Sequence, residues 1–190
     1  MPQLTDYDDW HYCGGALLTD SVVVTVAHCC YQLDMSVVKV VAGEHDLYVE
    51  EGTEQSAGVE SYWYHELYDP YTQENDICLL QLDHPFSLSA EVNVVKRAGP
   101  GDSFSGVGRV SGWGDLYEGG VMPDVLMSVE VRLWSDQDCR QDYGEQAITD
   151  SMLCAGDTGK GRDTSHLITI PVLMEFSVNI SPTFPVIMRC

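Results

Sequence analysis

The sequence is poor in positive charge. Nine lysines and arginines stand against 30 aspartates and glutamates, a formal net charge of −21. Such a chain repels phosphate backbones, so no nucleic-acid partner is expected. The acidity keeps the surface soluble and leaves it open to cationic partners or divalent metal. Long apolar runs are also missing. No stretch reaches the ~18 uninterrupted apolar residues of a membrane span, and no membrane partner is expected. The opening residues, Met1-Pro-Gln-Leu-Thr-Asp6, have no basic start and no apolar run, so they do not read as a signal peptide. There is no internal repeat and no low-complexity tract, which excludes repeat architectures.

What is present fits a globular chain. Its 190 residues suffice for one or two small domains, and 44% of them are hydrophobic, which argues against disorder. The apolar runs are short and β-branched: 21–27, 37–42, 77–82, 108–113 and 125–134. Gly, Pro and Asp clusters separate them. Helical periods do not alternate with these strands, so the pattern predicts an all-β sandwich or barrel. One helix is expected over 135–143, where Ser135 followed by Asp138 makes a capping-box-like start and Asp136 sits near the positive end of the dipole. Residues 98–105, with Gly99, Pro100 and Gly101, read as a linker between two halves.

Two segments carry candidate chemistry. In Val24-Thr-Val-Ala-His28-Cys29 an apolar strand ends in a small residue, then histidine, then cysteine. A general base needs rigid support with its ring facing a cleft, and a strand end followed by a disulfide supplies that. In Asn75-Asp76-Ile77-Cys78-Leu79-Leu80 an aspartate immediately precedes a hydrophobic strand. It would be partly buried there and would need a partner. A histidine Nδ1–H is such a partner; capping of a turn is the alternative.

A third segment, Glu44-His-Asp46-Leu-Tyr-Val49-Glu-Glu51-Gly52-Thr-Glu54, holds five carboxylates in eleven residues around a glycine turn. Hard oxygen donors at this density suit Ca²⁺. The alternative is a solvated acidic loop.

Taken with Cys13-Gly-Gly, Ser111-Gly-Trp-Gly114 and Asp150-Ser-Met-Leu-Cys-Ala-Gly156, these segments resemble the chymotrypsin/trypsin-like serine protease family in unbroken order. The stretch from Pro123 through Ser135-Asp-Gln-Asp-Cys139 to Gly156 looks most like the digestive trypsins. The resemblance implies two six-stranded Greek-key β-barrels. It places the first barrel over 1–97 and part of a second over 106–164, followed by a divergent tail over 165–190. It further implies cleavage after Lys or Arg, with His28 as general base and Asp76 as the carboxylate that orients it. Asp163 matches the aspartate at the base of the specificity pocket. In the acidic segment, Glu44 and Glu54 would ligate through carboxylates, Asp46 and Val49 through backbone carbonyls, and Glu51 through water. No catalytic cofactor is implied. Partners would be protein or peptide substrates or protease inhibitors, the setting extracellular and the state monomeric.

The pattern then stops. After Asp163-Thr164 the family's Gly-Asp-Ser-Gly-Gly-Pro does not follow; the chain reads Ser165-His-Leu-Ile-Thr-Ile-Pro-Val. Ser165 replaces a disulfide cysteine. By counting, Thr169 stands where the nucleophile belongs, but Ile168 and Ile170 cannot readily take the backbone shapes of the missing glycines. The nucleophile is therefore absent, and Asp163 reads as a relic of trypsin specificity. The Ile-Val-Gly-Gly start is missing as well. Residues 165–190 hold three prolines and no glycine and read as an apolar tail. The expectation is an inactive chain truncated before its catalytic serine motif. It is either a non-catalytic binding homologue or a product of altered splicing or frameshift.

Seven cysteines suggest disulfides and a secreted relative. The resemblance implies Cys13–Cys29 and Cys139–Cys154. Cys30 and Cys78 would lie near each other if His28 meets Asp76, either as a third bridge or as two buried thiols. Cys190 would be left over. Asn179-Ile-Ser matches a glycosylation acceptor, weakened by the following Pro182.

Overall fold

The computed structural model describes residues 1–96, 106–114, 121–149 and 152–156. The expected linker, Asp163, Thr169, Asn179, Cys190 and the rest of the tail lie outside the described residues.

The first half is a nearly closed β-barrel. Its strands are β1 (Gln3–Thr5), β2 (His11–Gly14), β3 (Ala16–Leu17), β4 (Val22–Thr25), β5 (Lys39–Ala42), β6 (Gln55–Tyr64) and β7 (Cys78–Leu82). They are hydrogen-bonded in the order β2-β1-β5-β6-β7-β4-β3. The strands at the two ends of that list, β2 and β3, are consecutive in the chain. Counted as one interrupted strand they make six around the barrel. Gly15 sits at the interruption, where a Cβ would stand 2.7 Å from Val23 Cγ1. The buried Thr25 hydroxyl donates across the seam to the Gly14 carbonyl at 2.8 Å.

Alternation explains which side chains enter the core. In β7, Cys78, Leu80 and Leu82 are buried while Leu79 is exposed. Val23, Val40 and Leu4 join them from β4, β5 and β1, and Met35, Phe86 and Val92 pack against the same cluster. Burying each such aliphatic side chain contributes about 1.5–3 kcal/mol. The apolar runs expected as strands over 21–27 and 37–42 are shortened to β4 and β5. Single 3-10 turns at Ala27–Cys29 and Met35–Val37 take up their ends.

The second half is a three-stranded antiparallel sheet, β8 (Gly106–Gly112), β9 (Met127–Trp134) and β10 (Cys154–Gly156), ordered β10-β9-β8. The helix α1 (Asp136–Tyr143) follows β9. Ser135 Oγ accepts from the Asp138 N–H at 3.2 Å, the capping geometry that its sequence predicts. Cys139, Ile148 and Met152 form a small core beside Trp134, and Arg132 lies 4.6 Å over the Trp134 ring. The described fold is thus all-β with one α-helix, and no described helix is long and apolar enough to cross a membrane.

The halves join along one line. Leu47 N–H donates to Asp124 O at 2.9 Å and Leu126 N–H to His45 O at 2.8 Å, flanking an antiparallel bridge between Asp46 and Val125. Trp113, only 1% exposed, donates its indole Nε1–H to the same His45 carbonyl at 3.1 Å.

Candidate active site

The meeting of His28 and Asp76 follows from strand register. Thr25 lies opposite Cys78 in the β4–β7 ladder. His28 comes three residues after one partner and Asp76 two residues before the other, at the same end of the pair. The 3-10 turn over Ala27–Cys29 carries His28 off the strand. On the other side, Asn75 takes a left-handed φ of 58°, which asparagine tolerates. Ile77 N–H bonds back to Asn75 O at 2.9 Å, so Asp76 occupies the centre of a γ-turn-like link.

Asp76 holds His28 at two points. Its Oδ1 accepts the His28 backbone N–H at 2.8 Å, and its Oδ2 lies 2.7 Å from His28 Nδ1. The carboxylate is 2% exposed and the imidazole 40%. An ionised carboxylate only accepts, so Nδ1 carries the hydrogen and Nε2 keeps the lone pair. The ring is thereby oriented, with one nitrogen spent inward and the other left for proton exchange.

Disulfides clamp both sides of this contact. Cys13 is joined to Cys29, Cys30 to Cys78, and Cys139 to Cys154, with Cα–Cα distances of 6.4, 6.7 and 6.5 Å. The alternative of two buried thiols at Cys30 and Cys78 is thereby decided in favour of a bridge. The Cys13 and Cys29 sulfurs gather beside His28, but being bonded to each other they offer no thiolate for a metal.

Three tyrosines beside the site carry no motif in the sequence. Tyr31 meets Tyr64 and Tyr68 edge-on, each at 5.5 Å between ring centroids. Burial, then the charge of Asp76, pushes the Tyr68 hydroxyl up to about 12. Aromatic density over 62–71 is the sequence signal that points to Tyr64 and Tyr68; Tyr31 lies outside it.

The acidic segment forms the connection between β5 and β6. Ala42 pairs with Gln55, and the Thr53 hydroxyl donates to Gly43 O at 2.8 Å to close its neck. Gly43 has φ 82°. Carboxylate oxygens of Glu44, Glu51 and Glu54 come within 4.8 Å of one another. Two oxygens on opposite sides of a Ca²⁺ at 2.3–2.6 Å each would stand at about that separation. Burial, reinforced by the charges of Glu54, Glu51 and Asp46, raises the Glu44 carboxyl; the His45 N–H opposes this. Backbone N–H groups, that of Glu51 first, hold Glu54 low. Among the described residues none of the three carboxylates has an ion-pair partner. The donor set suits a hard cation. The Asp46 side chain accepts from Tyr48 N–H at 3.0 Å, and its carbonyl accepts from Val49 N–H at 3.0 Å.

The family model for trypsin matches residues 3–166. The chain belongs to the trypsin family. It is similar to Trypsin-1 of Astacus astacus, 39% identical over 158 residues that make up 82% of this chain and 67% of that protein. Trypsin of Xenopus laevis is 37% identical over 82% of this chain and 62% of its own length. Anionic trypsin of Bos taurus is 36% identical over 82% of this chain and 61% of its own length. The chain thus spans between three fifths and two thirds of these trypsins. The β-rich fold and the disulfides are those of a trypsin-like serine protease.

Proposed function

We propose that this chain is a trypsin-like serine endopeptidase by descent, carrying the base-and-carboxylate part of the machinery but proteolytically inactive as written. The two-point hold of Asp76 on His28 is the observation that carries the first part of this reading. In the family such a histidine takes the nucleophile's proton at Nε2 and passes it to the leaving amine, while the aspartate fixes the tautomer and stabilises the imidazolium. Substrates would be protein or peptide chains cut after Lys or Arg, with Asp163 as the residue of that preference.

The second part rests on the 190 residues themselves, in which no Gly-Asp-Ser-Gly-Gly-Pro follows Thr164. Without it there is neither nucleophile nor oxyanion-hole turn. In serine proteases, loss of the nucleophile costs about six orders of magnitude in turnover. Removing one oxyanion donor costs about 3–4 kcal/mol of transition-state stabilisation.

Glu44, Glu51 and Glu54, with the carbonyls of Asp46 and Val49, are the residues that would hold Ca²⁺. The ion would neutralise the cluster and stiffen the β5–β6 connection, a structural contribution only. The two disulfides and continuous core of the first half, with a third disulfide in the second half, favour a second reading, a folded non-catalytic homologue that acts as a binding protein. Disulfides also favour an extracellular setting. We assign 1–97 to the first barrel, 106–164 to the second unit and 165–190 to the divergent tail.

The test is turnover of a Lys/Arg chromogenic peptide by the purified full chain, alongside a serine-directed covalent probe and a melting curve with and without Ca²⁺. Turnover with probe labelling overturns inactivity and directs the search to Ser165 and Thr169. No turnover with a cooperative melt raised by Ca²⁺ supports the folded, inactive reading.

A further inference from the structure

We propose that the acidic connection is a cation-controlled latch between the two halves, with the His45 peptide as its coupling element. This rests on the reading of Glu44, Glu51 and Glu54 as a cation site. The geometry is local. The His45 N–H donates to Glu44 Oε1 at 3.1 Å. The carbonyl of the same residue accepts from Leu126 N–H at 2.8 Å and from the Trp113 indole at 3.1 Å. One residue therefore has its amide on the carboxylate cluster and its carbonyl on the second half. Leu47 N–H to Asp124 O, 2.9 Å, extends the contact by one further step.

The neck decides where motion is expressed. Thr53 Oγ1 fixes Gly43, so the β5 and β6 ends stay in place. Glu44 stands on the β5 side of the connection, Glu51 and Glu54 on the β6 side. Three carboxylates within 4.8 Å repel one another when uncompensated, and they relieve that repulsion by moving Glu44 and the following peptide. That peptide ends at His45, whose own carbonyl, one peptide further on, holds Trp113 and Leu126. Compensated carboxylates keep His45 in place, and the docking hydrogen bonds with it.

A second observation points to a ligand at the cluster. Gln3, 4% exposed, reaches from β1 to donate its amide to Glu44 Oε2 at 3.3 Å. Its buried Oε1, on the amide that bonds Glu44, has no partner among the described residues, so a hard oxygen donor lies unused beside the cluster.

Coupling between sites is reciprocal, which supplies the test. Amide exchange of Leu47 and Leu126 and indole exchange of Trp113 are followed by NMR on the full oxidised chain, with and without Ca²⁺. Calorimetry measures Ca²⁺ binding on the same sample. Saturation with Ca²⁺ is expected to slow all three exchange rates by about fivefold or more, and Trp113→Phe to weaken Ca²⁺ binding by about fivefold, although the indole bonds a carbonyl and not the cluster. Glu51→Gln, on the exposed side of the connection, is expected to lose both effects. Ca²⁺ binding with unchanged exchange and unchanged affinity in Trp113→Phe overturns the latch and leaves the cation site standing. No Ca²⁺ binding by the unaltered chain overturns the site and the latch together.

Discussion

Thr25 and Cys78 face each other across β4 and β7, and this one register pair fixes the site. A slip of one residue would turn Cys78 and Leu80 out of the core and carry Asp76 away from His28. The Cys30–Cys78 bridge ties Cys78 to the segment just past β4, so core packing, disulfide and imidazole support are consequences of a single alignment.

Asp76→Asn is expected to invert the His28 tautomer. An amide can keep accepting the His28 backbone N–H through its oxygen, but it then presents N–H groups to Nδ1. Nδ1 must become the acceptor and the hydrogen moves to Nε2. Ring ¹⁵N chemical shifts at neutral pH read this directly: Nδ1–H in the unaltered chain, Nε2–H in the variant. The same tautomer in both would mean that Oδ2 does not orient the ring.

The two bridges of the first half should differ in strength. Cys30–Cys78 spans a sequence separation of 48 and Cys13–Cys29 one of 16. Loop-closure entropy gives about 4 kcal/mol for the longer loop and about 3 kcal/mol for the shorter. Paired Cys→Ser replacements in urea denaturation should therefore cost about 1 kcal/mol more at Cys30/Cys78 than at Cys13/Cys29. The reverse order would contradict the chain-entropy account.

The strands legible in the sequence are those built from nearly unbroken apolar runs. Residues 77–82 and 21–27 read as such runs even though burial alternates along β7 and β4. β6 did not read as a strand. It mixes Gly58 and the exposed Glu60 with aromatics, and its register shifts between Val59 and Ser61. β1, β2, β3 and β10 have two to four residues each, too few to show a period. The proximity of Cys30 and Cys78 followed from His28 and Asp76, but proximity does not settle oxidation, and the bridge had to be seen. Trp113 and His45 are 68 positions apart, and nothing local in either segment announces their bond.

Thr25→Val should weaken the barrel seam without altering its shape. Thr25 is 1% exposed, and its hydroxyl donates to Gly14 O at 2.8 Å, joining strands that are not neighbours in the sheet. Valine fills the same volume and leaves that carbonyl without the hydroxyl, at a cost of about 1–2 kcal/mol. An unchanged urea midpoint would mean that β1 and β2 alone hold the Gly14 region.

Acid should loosen the chain through His11. This residue is 8% exposed, packs edge-on against Trp113 at 5.4 Å, and has no partner for its buried Nδ1 among the described residues. Burial lowers its pKa to about 4. The folded form refuses a proton that the unfolded chain accepts near its ordinary 6.5. Stability from this group is therefore complete above about pH 6.5 and is lost as pH falls toward 4, at about 1.4 kcal/mol per pH unit and about 3 kcal/mol in all. Glu44, whose carboxyl burial raises, acts with the opposite sign. It is common to both proteins when the unaltered chain is compared with His11→Gln. The difference in unfolding free energy between the two should grow smoothly from pH 7 to pH 4, the glutamine variant losing less. Parallel pH profiles would show that water reaches Nδ1 in the folded chain and that the junction beside Trp113 is open to solvent.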